Sequence, residues 1–273
     1  MAHPQIAAFA RLAKENARPT RLLAGQKTFL SRTMHDIRYD AIHDEFVVTN
    51  PFAQAVLVFR GGAEGEEAPL RVIQGPRTMM DGPDRLEVDP VNNEILVPEN
   101  DRILVYPREA NGDVAPIRVL RGPDTQLKNI GGVAVDPVHD LLIAGIQFRG
   151  EGTPPGALLV FERTASGNTK PRSMVRGPKS GIVRALQLAL YPQKGWIVVA
   201  QAGRDDQMEP EGVFIGVWSI NDNGDVPPRW KLGGPQSTLK KPRGIALNPR
   251  HKELIVADMR LNSVLTYYFP ELF

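Results

Sequence analysis

Five histidines, His3, His35, His43, His139 and His251, are the first residues of this chain that could do chemistry, as bases near neutral pH or as metal ligands. Their placement speaks against a shared site. His43, His139 and His251 fall at one recurring turn position, with Asn92 and Lys194 at or beside it in the other copies, so each belongs to a separate turn. His35 stands alone at the entrance to a strand, and His3 lies in the N-terminal tail. No Ser-His-Asp order with supporting context appears. Gly61-Gly62 and Gly131-Gly132 read as turns between strands with no helix following, not as a phosphate-binding loop. The absence of cysteine excludes disulfides, thiol catalysis and cysteine metal sites.

A second kind of chemistry would come from charges in apolar surroundings. Arg38 and Glu87 occupy a strand position that other copies fill with Ala134, Ala189 and Ala246. In neighbouring copies they can meet as a bidentate pair, filling the space beside small alanines or touching a ligand. Around the same strand entrances lie His35, Asp36, Asp84, Arg85, Asn129, Arg184, Gln187, Lys241 and Arg243. The ends of the following strands add Asn50, Asn100, Gln147, Gln201, Asp258 and Arg260. Such a set suits a polar ligand or a peptide.

The elements that must position these groups are copies of one unit. Its clearest form is residues 84–123, where LEVD, EILV, RILVY and PIRVL are short runs separated by Asp-Pro, Asn-Asn, Glu-Asn-Asp and Asn-Gly turn chemistry. The inner pair recurs at residues 37–48, 133–144, 188–199 and 245–256, and the outermost run recurs with a proline six residues before a glycine. Self-similarity at this period with four strands per copy predicts an all-β fold, a β-propeller of four-stranded antiparallel blades. Five inner strands give five blades, near residues 34–76, 84–123, 131–178, 186–235 and 243–273, with six as the alternative if another chain supplies strands. The whole chain, 1–273, reads as one domain.

Residues 6–25 align without a gap to residues 103–122, with seven identities, although Ala7, Ala8 and Ala10 replace Leu104, Val105 and Pro107. Alanine favours helix, so Pro4–Asn16 is expected to be a helical or loosely docked part of a tail, residues 1–17. Residues 18–25 are then expected to close the ring as the outer strand of the last blade. Insertions at Ile146–Gly156 and Gln201–Gly212 fall in the same kind of loop, between second and third strands, and define a loop-bearing face.

The strings PRGIALNP (Pro242–Pro249) and ELIVADMRLNSVLTYY (Glu253–Tyr268) resemble the NHL repeat. The resemblance covers nearly the whole chain and implies a propeller, usually of six blades. NHL-like propellers include RNA binders, protein scaffolds, sensor domains and lactonase relatives. The lactonase relatives, similar to gluconolactonase, imply a central calcium on one Glu, one Asn and one Asp, which here would be Glu87, Asn129 and Asp258. Their Asn-Gly entrance is absent, since Ile130 follows Asn129 and Arg243 precedes Gly244.

Composition narrows the partners. A net charge of +2 is too small to imply a polyanion, and acidic Asp81, Asp84, Asp101, Asp205, Asp206, Glu209 and Glu211 dilute the basic Lys128, Arg184, Lys240, Lys241, Arg243 and Arg260. The start has no signal-peptide pattern, and no apolar run reaches membrane-spanning length. The compartment is left open. The reading is a non-catalytic scaffold that binds a protein or peptide on the loop-bearing face and needs no cofactor, with the oligomeric state left open and a monomer favoured. A metal-dependent lactonase-like hydrolase and an RNA-binding propeller are the alternatives.

Overall fold

The computed structural model describes residues 4–32, 34–203 and 212–273. Regular structure there is strand, apart from single 3-10 turns, and no helix is long and apolar enough to cross a membrane. The expected unit is the one seen. β3–β6 (Ile37–Asp40, Glu45–Asn50, Ala55–Arg60, Arg71–Gln74) form one antiparallel meander, and β7–β10 (Glu87–Asp89, Glu94–Pro98, Arg102–Pro107, Arg118–Arg121) form the next. β11–β14 (Ile130–Asp136, Leu141–Ile146, Ala157–Glu162, Ser173–Val175) and β15–β18 (Ala185–Tyr191, Trp196–Gln201, Phe214–Ser219, Trp230–Gly233) repeat it. β19–β21 (Pro242–Asn248, Glu253–Asp258, Ser263–Tyr268) make a sheet of three. The chain is an all-β, five-bladed propeller whose last blade has three strands of its own.

The N-terminal segment differs from expectation. β1 (Gln5–Ala8) is a strand, and it pairs antiparallel with β2 (Arg21–Ala24) in a two-stranded sheet. The partner of residues 21–24 is therefore β1, not the outer edge of the last blade. The gap-free alignment to residues 103–122 was the better guide: β1 and β2 are the third and fourth strands of a repeat. Three alanines among residues 7–10 are too few to offset the cost of starting a helix, whereas strand pairing satisfies the backbone at once.

By contact the chain divides into two compact units, residues 1–99 with 104–117, and residues 100–103 with 118–273. In the first, Phe46, Val48, Leu57 and Phe59 form the core with Leu23, and the Phe46 and Phe59 rings stack at 5.2 Å. In the second, Ile143, Val160, Leu188, Val199 and Trp218 form one core cluster and Val198, Ile215, Leu254 and Val256 another. Each such side chain contributes about 1.5–3 kcal/mol on burial. Trp218 is fully buried, as expected, whereas Trp196 is half-buried and meets Trp230 edge to face.

Two ties recur that the repeat's apolar pattern does not advertise. The hydroxyls of Thr28, Thr78, Thr125, Ser180 and Ser237 each donate to the glycine carbonyl three residues earlier, at 2.6–2.7 Å, pinning the turn after every outer strand. Gly65, Gly112, Gly167 and Gly224 each bridge in parallel to Leu23, Ile73, Leu120 and Val175 of the preceding copy's outer strand. At Gly112 φ is +75°, a left-handed turn that lets the Asn-Gly tip approach that strand.

Glu45 carries a pH prediction. Burial pushes its pKa up, but Arg71, at 2.9 and 2.6 Å, and Arg108, at 2.8 Å, outweigh this and hold it below the ordinary glutamate value. A depressed folded pKa stabilises above the unfolded value and is lost as pH falls through the folded one. Glu45→Gln should therefore be less stable than wild type at pH 7 and lose less stability on acidification through the carboxylate range. Chemical denaturation along a pH series reads this out, and parallel curves would contradict it.

Candidate functional site

In the first unit the candidate residues form one network at the inner-strand entrances of the first two blades. Asp36, 6% exposed, is its hub. Its Oδ1 accepts from the Ile37 N–H at 3.0 Å and from Arg38 Nη1 at 3.0 Å, and its Oδ2 accepts from the Leu86 N–H at 3.2 Å. Arg38 Nε reaches Glu87 Oε2 at 3.3 Å, so the expected Arg38–Glu87 pair is present with a second carboxylate on the same guanidinium. Glu87 Oε1 accepts from the Val88 N–H at 2.9 Å. Arg85, also buried, donates to the His35 carbonyl at 2.7 Å. His35 Nδ1 contacts Asp84, and both side chains are half exposed.

The electrostatics follow from burial. Burial opposes the Arg38 charge, but Asp36 and Glu87 outweigh it and hold its pKa above the ordinary arginine value. Burial pushes Glu87 up, further than Arg38 and the Val88 N–H draw it down, and burial lowers Arg85 against the pull of Asp36. These opposed charges hold one another and the backbone. The exposed polar groups of this network are those of His35 and Asp84.

The second unit holds the other candidates. Three of its inner strands carry a register shift at the same place, at Gly131 in β11, Leu186 in β15 and Arg243 in β19. A bulge there re-aims the side chains at each strand entrance. Gly131-Gly132, expected as a turn, therefore lies within a strand. The reason is space, since a Cβ at Gly131 would sit 1.9 Å from the Ala185 carbonyl oxygen. Arg184 is buried, its N–H donating to Gln201 Oε1 at 2.9 Å and its Nε to Gln147 Oε1 at 3.3 Å. Gln187 Oε1 accepts the Ile245 N–H. Arg243 is half-buried and Arg260 exposed. Asn129, at φ +55°, has a buried Nδ2 with no hydrogen-bond partner among the described residues.

The polar residues at the second-strand ends, expected to line a mouth, do something else. Asn50, Gln147, Gln201 and Asp258 each hold backbone at the entrance to their own blade. Asn50 Nδ2 donates to the Phe29 carbonyl at 2.9 Å, Gln147 Nε2 to that of Ile130 at 3.5 Å and Gln201 Nε2 to that of Gly181 at 3.1 Å. Asp258, 2% exposed, accepts the N–H groups of Lys240 and Lys241, each at 2.8 Å, and those of Arg260 and Leu261 at 3.0 and 3.2 Å. In the second blade the grip comes from Glu99, which accepts the Asp81 N–H at 2.9 Å, and not from Asn100. Glu99 was missed because only the recurrence of a long polar side chain just past the second strand could have flagged it.

The turn reading of the histidines holds for all three, each lying in the turn between the first and second strands of its blade. Asp40 and Asp136 each accept two turn N–H groups and the Nδ1 contact of His43 at 2.7 Å or His139 at 2.8 Å, and Asn92 makes the same contact to Asp89. His251 ends the 3-10 turn that joins β19 to β20, without an aspartate contact of this kind. The Ile146–Gly156 insertion runs back over the next inner-strand entrance, with the Phe148 N–H on the Val183 carbonyl at 2.7 Å, as expected for the loop-bearing face. His3, Asp205, Asp206, Glu209 and Glu211 lie outside the described residues. Among the described residues no three His, Asp or Glu side chains are grouped to hold a metal ion.

No protein-family profile and no curated protein matches the chain. Solved structures do. The nidogen/laminin complex is similar over 99% of this chain and 93% of that one, with TM-score 0.61 and 12% identity. A functionally unknown protein from Desulfotomaculum acetoxidans matches 87% of this chain and 68% of that one, with TM-score 0.57 and 12% identity. Kuenenia stuttgartiensis hydrazine synthase matches 82% of this chain, which spans 55% of that one, with TM-score 0.57 and 11% identity. At these identities the likeness shows the fold, and with it the fold-level resemblance to NHL-like propellers.

Proposed function

We propose that this chain is a non-catalytic, NHL-repeat-like propeller that binds a protein or peptide partner on its loop-bearing face. The observation that carries this is how the polar groups of that face are used. Asn50, Glu99, Gln147, Gln201 and Asp258 each hold backbone at a blade entrance, and Asp36 and Glu87 are committed to Arg38 and to backbone N–H groups. Within each unit the result is short loops anchored by buried side chains, the arrangement that suits recognition. Two of the three side chains that the lactonase resemblance implied as calcium ligands have protein partners: Glu87 faces a guanidinium, and Asp258 accepts four backbone amides. The likeness to the nidogen/laminin complex, a protein held by a protein, supports the same reading.

The test is site-specific photocrosslinking in native extract, with the crosslinker at Arg149 in the loop-bearing insertion or at Val138 in the turn at the other end of the same blade. One protein partner captured from position 149 and not from 138 is the expected result. Equal capture from both positions, capture of RNA alone, or calcium-dependent lactone hydrolysis by the purified chain would overturn it.

A further inference from the structure

In the four complete blades the loop between the third and fourth strands lays a glycine on the preceding copy's outer strand, and two of those glycines follow asparagine. Asn111-Gly112 and Asn223-Gly224 are the two Asn-Gly pairs of the sequence, and both continue as Asp-Val. The other two loops have Glu64-Gly65 and Ser166-Gly167 there, with no side-chain amide to lose. An asparagine amide is open to attack by the backbone nitrogen of the next residue, and glycine, without a Cβ, leaves that nitrogen unhindered.

In the folded chain both partners of that reaction are held by one residue. The Gly112 N–H donates to the Val72 carbonyl at 2.6 Å, and Asn111 Oδ1 accepts the Val72 N–H at 3.0 Å. Met174 holds Gly224 and Asn223 in the same way, at 2.7 and 3.0 Å. The aspartate that follows closes each clasp further, Asp113 accepting the Arg77 N–H at 2.7 Å and Asp225 that of Lys179 at 2.8 Å. Yet Asn111, Gly112, Asn223 and Gly224 are all exposed, so one clasp can open without unpacking a core.

We propose that Asn111 and Asn223 are self-modification sites gated by these clasps, each converting to aspartate and isoaspartate when its own tie opens. Once the glycine N–H is released from its carbonyl and deprotonated, the nitrogen bonds to the asparagine Cγ. The Cγ–Nδ2 bond breaks, and Nδ2 leaves as ammonia with that proton. Water then opens the cyclic imide at either carbonyl. Aspartate can re-form the clasp, since a carboxylate oxygen accepts an N–H as Asp113 and Asp225 do in the same loops. Isoaspartate adds a methylene to the main chain and carries the glycine out of register, so that product keeps the tie open. Both loops lie at the end of the blade away from the second-to-third-strand insertions, and the inference does not rest on the proposed function.

The test is peptide mapping by mass spectrometry of the purified chain after incubation at neutral pH, folded and in guanidinium chloride. Conversion at both asparagines is expected, slower in the folded chain by about tenfold or more. Asp113→Ala, which removes the acceptor of the Arg77 N–H, should speed conversion at folded Asn111 by about three- to tenfold relative to the same variant unfolded, the effect of one lost hydrogen bond. Asn223 should be unchanged in that variant, and Asp225→Ala should do the reverse. In the wild-type chain, conversion at each site should rise and fall with hydrogen exchange of its own glycine amide. Equal rates folded and unfolded, no conversion at either site in the unfolded chain, or conversion that stays flat while exchange rises would overturn the inference. So would either variant speeding both sites alike with melting unchanged.

Discussion

Asp36→Ala is expected to destabilise the protein by about 3–5 kcal/mol, the cost of breaking a buried ion pair by removing one partner. One carboxylate serves the Arg38 guanidinium, the Ile37 N–H and the Leu86 N–H, so its loss leaves the buried Leu86 N–H and the mostly buried guanidinium short of an acceptor and weakens the tie between the first two inner strands. Arg38 keeps Glu87, but burial favours the neutral form of that carboxyl and makes it a poor substitute. The contrast is Asp84→Ala, whose half-exposed contact to His35 should be worth no more than about 1 kcal/mol. Urea denaturation of both variants measures the difference. If the two fall equally, Asp36 is not the hub its hydrogen bonds describe.

Gly131→Ala should cost about 3 kcal/mol, because an added Cβ at 1.9 Å from the Ala185 carbonyl and 2.9 Å from the Gln147 side chain forces two inner strands apart. For a chain of this size that is a fall in melting temperature of roughly 6–12 °C. Neither neighbour can give cheaply. Ala185 is strand backbone, and Gln147 is held by Arg184. The disturbance should also reach the loop-bearing face through Arg184, so partner capture from position 149 should fall alongside stability. A melt within a degree of wild type would show that the bulge at Gly131 has room the geometry denies.

Much of this was legible beforehand. Alternating branched runs cut by Asp-Pro and Asn-Gly are local signals, and the strands fall where they pointed. Arg38 and Glu87 announced themselves by breaking an alanine pattern, and they do pair. β1 was misjudged on alanine propensity, although the alignment of residues 6–25 with a strand pair already held the answer. Asp258 was singled out as an implied calcium ligand, and its four amide donors, from residues up to eighteen positions away, were not readable from its type. Glu99 was overlooked for Asn100 because nothing in one residue's type says which amide it will reach.

By itself the sequence determined the strand meander, its repetition and its turns, because side-chain alternation and turn chemistry act between residues a few positions apart. Only the tertiary structure decided how the polar groups are spent. Asp36 meets Leu86 fifty positions away and Gln187 meets Ile245 fifty-eight away, and such pairings exist only once neighbouring blades have packed.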